Sequence, residues 1–135
     1  MNLIICIDDD NGMMFNNRRQ SQDRELRERV CKLTKGHKLF MNNYTFGQFE
    51  NYEYDNIVVD DDFLDKTESG DYCFVENIDI GNYDLEIEKL IIYKWNRKYP
   101  SNMKLSLSLQ EWHLESSVDF RGYSHERITE EVWVK

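Results

Sequence analysis

The segment Phe15-Asn16-Asn17-Arg18-Arg19-Gln20-Ser21, followed by Asp23 and Arg24, gathers side-chain amides, guanidinium groups and a hydroxyl in one short stretch. Where a helix begins just after such a stretch, its free N–H groups join these side chains. Forked Arg contacts and helix N–H groups together can hold an anion. Asn16, Arg18, Arg19, Gln20, Ser21 and Asp23 are therefore the expected contacts of a small anionic or nucleotide-like ligand. The competing reading is a solvated loop in which Ser21 or Asp23 only caps the helix.

Two acidic triplets, Asp8-Asp9-Asp10 and Asp60-Asp61-Asp62, follow apolar strand-like runs. Clustered carboxylates suit hard divalent cations. The calcium-loop spacing is not matched by Asp8–Gly12, however, and adjacent carboxylates more often make turns and solubilising charge, so no metal site is assigned. His37, His113 and His125 are far apart. No spacing signals a Ser–His or Cys–His pair, which leaves only a triad assembled in space. The catalytic residues stay unassigned.

These side chains need elements to position them. Residues 2–7 (NLIICI) form an apolar run rich in β-branched residues and too short for an ordinary helix, which predicts a buried strand. Residues 8–21 read as a long loop. Ser21 then caps a helix over 22–34, with Leu26, Val30 and Leu33 on one face and Gly36 as its stop. Glu25–Arg29 and Glu28–Lys32 have the spacing of surface ion pairs on that helix. Further strands are expected at 38–41, 56–59, 72–75 and 89–94, with a short helix at 45–48. Leu105–Leu109 alternates polar and apolar, as a strand does. Trp112–Phe120 and Ile128–Val134 read as long antiparallel strands around the turn residues Arg121–Ser124. The expected class is α/β, a single domain over residues 1–135. Its mixed β-sheet is flanked by helices and ends in an antiparallel hairpin.

The chain has 135 residues, with 26 acids against 17 bases and a net charge of −9. Proteins that coat nucleic acid are basic, because phosphate neutralisation drives that binding, so a nucleic-acid partner is disfavoured. The eight bases between residues 18 and 38 face only three acids, a local basic island. Three cysteines, an odd number without a CxxC pair, read as reduced thiols of a cytoplasmic protein. No apolar run approaches the ~20 residues of a membrane helix, and the N-terminus lacks the basic flank of a signal peptide. Alanine is absent while Asn, Asp, Ile, Lys and Tyr abound, a bias that resembles AT-rich bacterial or phage genomes.

The order of parts resembles the dihydrofolate reductase family. Leu3–Ile7 looks like its first strand and Asp8–Ser21 like the loop that covers the active site. Leu39-Phe40-Met41-Asn42-Asn43-Tyr44-Thr45-Phe46 looks like the segment in which Met-Gly-Arg-x-Thr-Trp closes a strand and opens a helix. Glu88–Tyr93 resembles the late strand and Trp112–Val134 the final hairpin. The resemblance implies a cleft lined by the covering loop and Thr45. The departures fall on the cofactor motifs. Asn42 and Asn43 replace the family's Gly and Arg, Glu76 and Asn77 replace its Gly-Gly pair, and the covering loop has no Pro-Trp. Glycine there permits close backbone approach to a pyrophosphate, whereas Glu76 would repel one. NADPH is therefore disfavoured and the cofactor is left open. Leu26 falls near the family's substrate-binding carboxylate, with Asp23 and Glu25 beside it as alternatives.

The opening Asn11–Arg24 also looks like the start of a small family of short Firmicutes proteins of unknown function, sometimes labelled ribonuclease Z. True ribonuclease Z enzymes carry a His-x-His-x-Asp-His cluster that these three separated histidines cannot supply. The expected function is a ligand-binding, dihydrofolate reductase-like domain without folate reduction, its ligand held under the 8–21 loop. One alternative is a non-catalytic acidic interaction module, in which acidic residues 50–88 and an antiparallel edge face a partner, with the Trp112–Val134 ribbon as a surface for a homodimer. The other is a small enzyme acting on nucleotides or RNA.

Overall fold

In the computed structural model, which describes residues 1–135, the expected strand at the start of the chain becomes the middle of a sheet. The strands are β1 (Asn2–Ile7), β2 (Gly12–Phe15), β3 (Arg18–Arg19), β4 (Leu39–Met41), β5 (Ile57–Val59), β6 (Tyr72–Phe74), β7 (Lys89–Lys94), β8 (Met103–Lys104), β9 (His113–Phe120) and β10 (Ile128–Val134). The helices are α1 (Arg24–Leu33) and α2 (Asn43–Phe46), with single helical turns at Phe63–Asp65 and Gly81–Glu86. Seven strands form one sheet in the order β5-β4-β6-β1-β7-β10-β9. The first five of these are mutually parallel, and β10 and β9 close the sheet antiparallel. This is the mixed α/β sheet with a C-terminal antiparallel hairpin that the sequence predicts.

The continuous apolar runs follow from burial on both faces, because side chains alternate across a strand. Leu3, Ile5, Ile7, Leu90 and Ile92 face one core with Phe63, Ile80, Ile87 and Trp112. Ile4, Leu39, Met41, Phe74, Ile91 and Tyr93 face a second core beneath Leu26 and Val30 of α1. Leu33 packs at its margin.

Four expectations change. First, residues 8–21 are not one long loop. Asn16 and Asn17 take φ of 50° and 63°, the left-handed pair that a tight hairpin turn requires. They join β2 to β3 in a small second sheet with β8. Met13 and Met14 are thereby buried. Second, α1 starts at Arg24, and its cap is Asp23 rather than Ser21: the Asp23 carboxylate accepts from the N–H groups of Glu25 and Leu26. Third, Leu105–Leu109 alternates without pairing as a strand. It lies extended on the first core, with Leu107 buried and Leu105 and Leu109 partly so. Fourth, neither expected ion pair on α1 forms. Arg24 pairs with Glu28 instead, at 3.6 Å, and Arg29 leaves the helix to meet Glu130 of β10 at 2.8 Å. Glu130 also accepts from the Tyr93 hydroxyl, so a half-buried tertiary acceptor outcompetes an exposed local one.

Cys6, Cys31 and Cys73 are free thiols. No helix is long and apolar enough to cross a membrane.

Phe74 is buried and meets Phe49 edge-on at 5.7 Å between ring centroids. Phe74→Ala should destabilise the fold by roughly 3–5 kcal/mol, read as a lowered midpoint in urea at an unchanged slope.

Candidate functional site

The parallel strands all end along one edge of the sheet, where open α/β sheets place their ligands. There β1 runs into Asp8, β4 into Asn42, β6 into Val75-Glu76 and β7 into Trp95. The chain leaving β3 crosses this edge, and three consecutive side chains reach three different places on it.

Arg19 takes Glu76 with both arms of its guanidinium, at 2.9 Å and 3.1 Å. The same group donates to the Tyr44 carbonyl at 3.1 Å and lies 4.4 Å over the Tyr44 ring. The Arg19 N–H donates to the Tyr44 hydroxyl at 2.7 Å. Gln20 donates through Nε2 to Asp8 at 3.0 Å and to the Pro100 carbonyl at 3.3 Å. Ser21 Oγ lies 2.9 Å from His125 Nε2.

Asp8 is buried and accepts from the N–H groups of Asp10, Gly12 and Tyr99 as well as from Gln20. Burial pushes its carboxyl up, but these hydrogen bonds outweigh burial and hold it below the usual carboxylate value. Gly12 is required for the approach, since a Cβ there would meet Gln20 Nε2 at 2.5 Å and the Ser101 Cβ at 2.7 Å. No group of three or more acidic, His or Cys side chains is arranged to hold a metal ion. Asp60 is bound to Lys66 and Asp61 to Asn43.

Asp23 is almost wholly buried. Besides capping α1, its carboxylate accepts from the N–H groups of Tyr123 and Ser124 at 2.9 Å each, and lies 2.8 Å from His125 Nδ1. Burial again pushes the carboxyl up. Hydrogen bonds from Tyr123, His125, Ser124 and Leu26 win and hold it far below the usual range. Asp23, not Glu25, is thus the inward carboxylate; Glu25 is exposed.

The six expected residues of the 15–24 segment therefore separate. Asn16, Arg18, Arg19 and Gln20 line a cleft of about 480 Å³, together with Phe15, Tyr99 and Pro100. Arg18 is exposed and forms no ion pair, unlike Arg19. Ser21 and Asp23 lie in the His125 cluster instead. Thr45 is fully buried in α2, outside this cleft, and its Oγ1 has no hydrogen-bond partner. Sequence reading did not single out Tyr99 and gave His125 no partner; only the fold brings His125 to Ser21 and Tyr99 to the cleft of Gln20. It also read Glu76 as a bare charge, although its partner is Arg19.

Two outcomes follow. Arg19→Met strands a carboxylate that is only 8% exposed, so it should cost roughly 3–5 kcal/mol; adding Glu76→Gln should recover much of that in urea unfolding. The folded-state pKa of Asp23 lies below its unfolded value. Its contribution to stability is therefore present above about pH 4 and is lost as pH falls through the folded value. Asp23→Asn should lower stability at pH 7 and flatten the acid limb of a stability-against-pH curve.

No protein-family model matches the chain, and no curated protein does, so the likeness of its opening to short Firmicutes proteins and the ribonuclease Z label gains no support. Among solved structures, the chain is similar to dihydrofolate reductase from Enterococcus faecalis complexed with NADP(H) and RAB-propyl. The TM-score is 0.72 at 8% identity, over 98% of this chain and 94% of that one. At that identity the likeness concerns the fold alone: the chain has a dihydrofolate reductase-like fold.

Proposed function

We propose that residues 1–135 act as one dihydrofolate reductase-like domain that binds a small anionic, ring-bearing ligand and does not reduce folate. The observation that carries this reading is the pairing of Arg19 with Glu76, beside an Arg18 left without an acid.

A dinucleotide does not fit the residues at the strand ends. Glu76 and Asn77 stand where the family has glycines. The Glu76 carboxylate is engaged on both oxygens by Arg19, and Asn42 Nδ2 donates to Asn77 Oδ1 at 2.8 Å, joining the end of β4 to the segment after β6. A pyrophosphate would have to break a half-buried ion pair and then face the freed carboxylate. The 480 Å³ cleft on the outer side of the hairpin has different chemistry. Arg18 supplies a forked donor for carboxylate or phosphate. Phe15, Tyr99 and Pro100 supply flat apolar walls, and Phe15 is 40% exposed. The free thiols are in keeping with a cytoplasmic setting.

Thermal unfolding with AMP, inorganic phosphate, NADPH and folate as separate additives tests this. AMP should raise the midpoint, since a ligand at 100 times its dissociation constant stabilises by about 2.7 kcal/mol, and Arg18→Ala should abolish the shift. A shift with NADPH that survives Arg18→Ala would return the strand-end cleft to the role it has in the reductases.

A second reading, an acidic interaction module, draws on β9. This eight-residue edge strand is exposed along nearly its whole length and shows Leu114 and Val118 to solvent.

A further inference from the structure

The cluster around His125 has an order that a helix cap alone does not need. Asp23 Oδ2 lies 2.8 Å from His125 Nδ1, and His125 Nε2 lies 2.9 Å from Ser21 Oγ. The Asp23 carboxylate is held ionised by four backbone N–H groups, from Glu25, Leu26, Tyr123 and Ser124. An ionised acceptor at Nδ1 puts the imidazole proton on that nitrogen and leaves the lone pair of Nε2 facing the Ser21 hydroxyl. The ring is 3% exposed and stacks on Trp95 at 4.7 Å, so it cannot turn away. Ser21 itself is half-buried and reachable. These are the distances and roles of a nucleophile, its base and the group that orients the base.

We propose that Ser21 is a nucleophile activated by His125, with Asp23 as the positioning residue, and that the site hydrolyses small carboxylic esters. Ser21 Oγ attacks the ester carbonyl carbon as its proton passes to His125 Nε2. The bond to the leaving alkoxide breaks, and His125 returns the proton to it as an alcohol. Water then attacks the acyl-serine, gives its proton to the same nitrogen, and frees the acid as Ser21 takes the proton back. Ester and water become acid and alcohol, with no other reactant. The N–H groups of Ser21 and Gln22 donate to no acceptor in the chain, and donors of this kind are what a developing oxyanion requires. The Tyr99 hydroxyl lies 3.3 Å from His125 Nε2, a second hydroxyl beside the base. The proposal stands apart from the anion-binding reading, since neither Arg18 nor its cleft takes part in the steps.

The test is labelling of the native protein with a fluorophosphonate, which a serine attacks at phosphorus with loss of fluoride. The expected result is a single adduct by intact mass, mapped by proteolysis to Ser21 and absent in Ser21→Ala. Ser116→Ala, exposed on β9, should label as the unmodified protein does. His125→Gln should label at least about 10³-fold more slowly. Should that variant not fold, mapping in the unmodified protein decides by itself. No adduct on the native chain, or an adduct on another residue that survives Ser21→Ala, overturns the proposal and leaves the cluster as a helix cap.

Discussion

The structure depends on one buried carboxylate. Asp23 accepts from two N–H groups of α1, two N–H groups and a hydroxyl of the loop before β10, and the His125 ring. A carboxylate out of water is tolerated only when its lone pairs are filled. Here the donors come from segments about a hundred residues apart, so satisfying one charge docks the first helix onto the last hairpin. Gly122 is part of the same constraint: a Cβ there would meet Asp23 Oδ2 at 2.7 Å and the His125 carbonyl at 3.0 Å.

From that anchor the residues before it are drawn across the carboxyl edge of the sheet. Arg19, Gln20 and Ser21 meet Glu76, Asp8 and His125 in turn. Asp8 follows β1 and Glu76 follows β6, while His125 is held by Asp23, the cap of α1. The short hairpin of β2 and β3 makes this possible by turning the chain back within two asparagines. The local basic island of the sequence is thus partly spent internally: Arg19 neutralises the buried Glu76 and Arg29 the half-buried Glu130, and Arg18 is left facing a cleft.

A fold and its chemistry are separable because the first rests on apolar burial and strand order, and the second on a few side chains at one edge. This chain keeps the strand order of a mixed sheet with a closing antiparallel hairpin. At the carboxyl edge of that sheet an ion pair between Arg19 and Glu76 and a hydrogen bond between Asn42 and Asn77 tie neighbouring segments together. The polar groups that remain accessible lie elsewhere, on the outer face of the hairpin and at the start of α1.

Apolar runs such as Leu3–Ile7 and Leu90–Tyr93 can bury both faces only as central parallel strands. Leu26, Val30 and Leu33 at helical spacing open an amphipathic helix, though its cap is Asp23 rather than the expected Ser21, and the final alternating segments pair with each other. That much was legible in residue order, because local periodicity and burial set it. The short β2–β3 hairpin was legible in principle, since Asn16-Asn17 carries the left-handed turn signal, but Gly12 and the polar flanks hid it in a longer loop. The site was legible only as a list of polar residues between 15 and 24. Ion pairs, hydrogen-bond partners and clefts are long-range facts. Glu76 is 57 residues from Arg19, and His125 is 104 from Ser21. No local pattern encodes which carboxylate a guanidinium meets or which ring a hydroxyl faces. Residue order carried the central strands, the amphipathic helix and the closing hairpin; the packing of distant segments set which charges cancel, which stay free, and that Asp23, His125 and Ser21 stand in line.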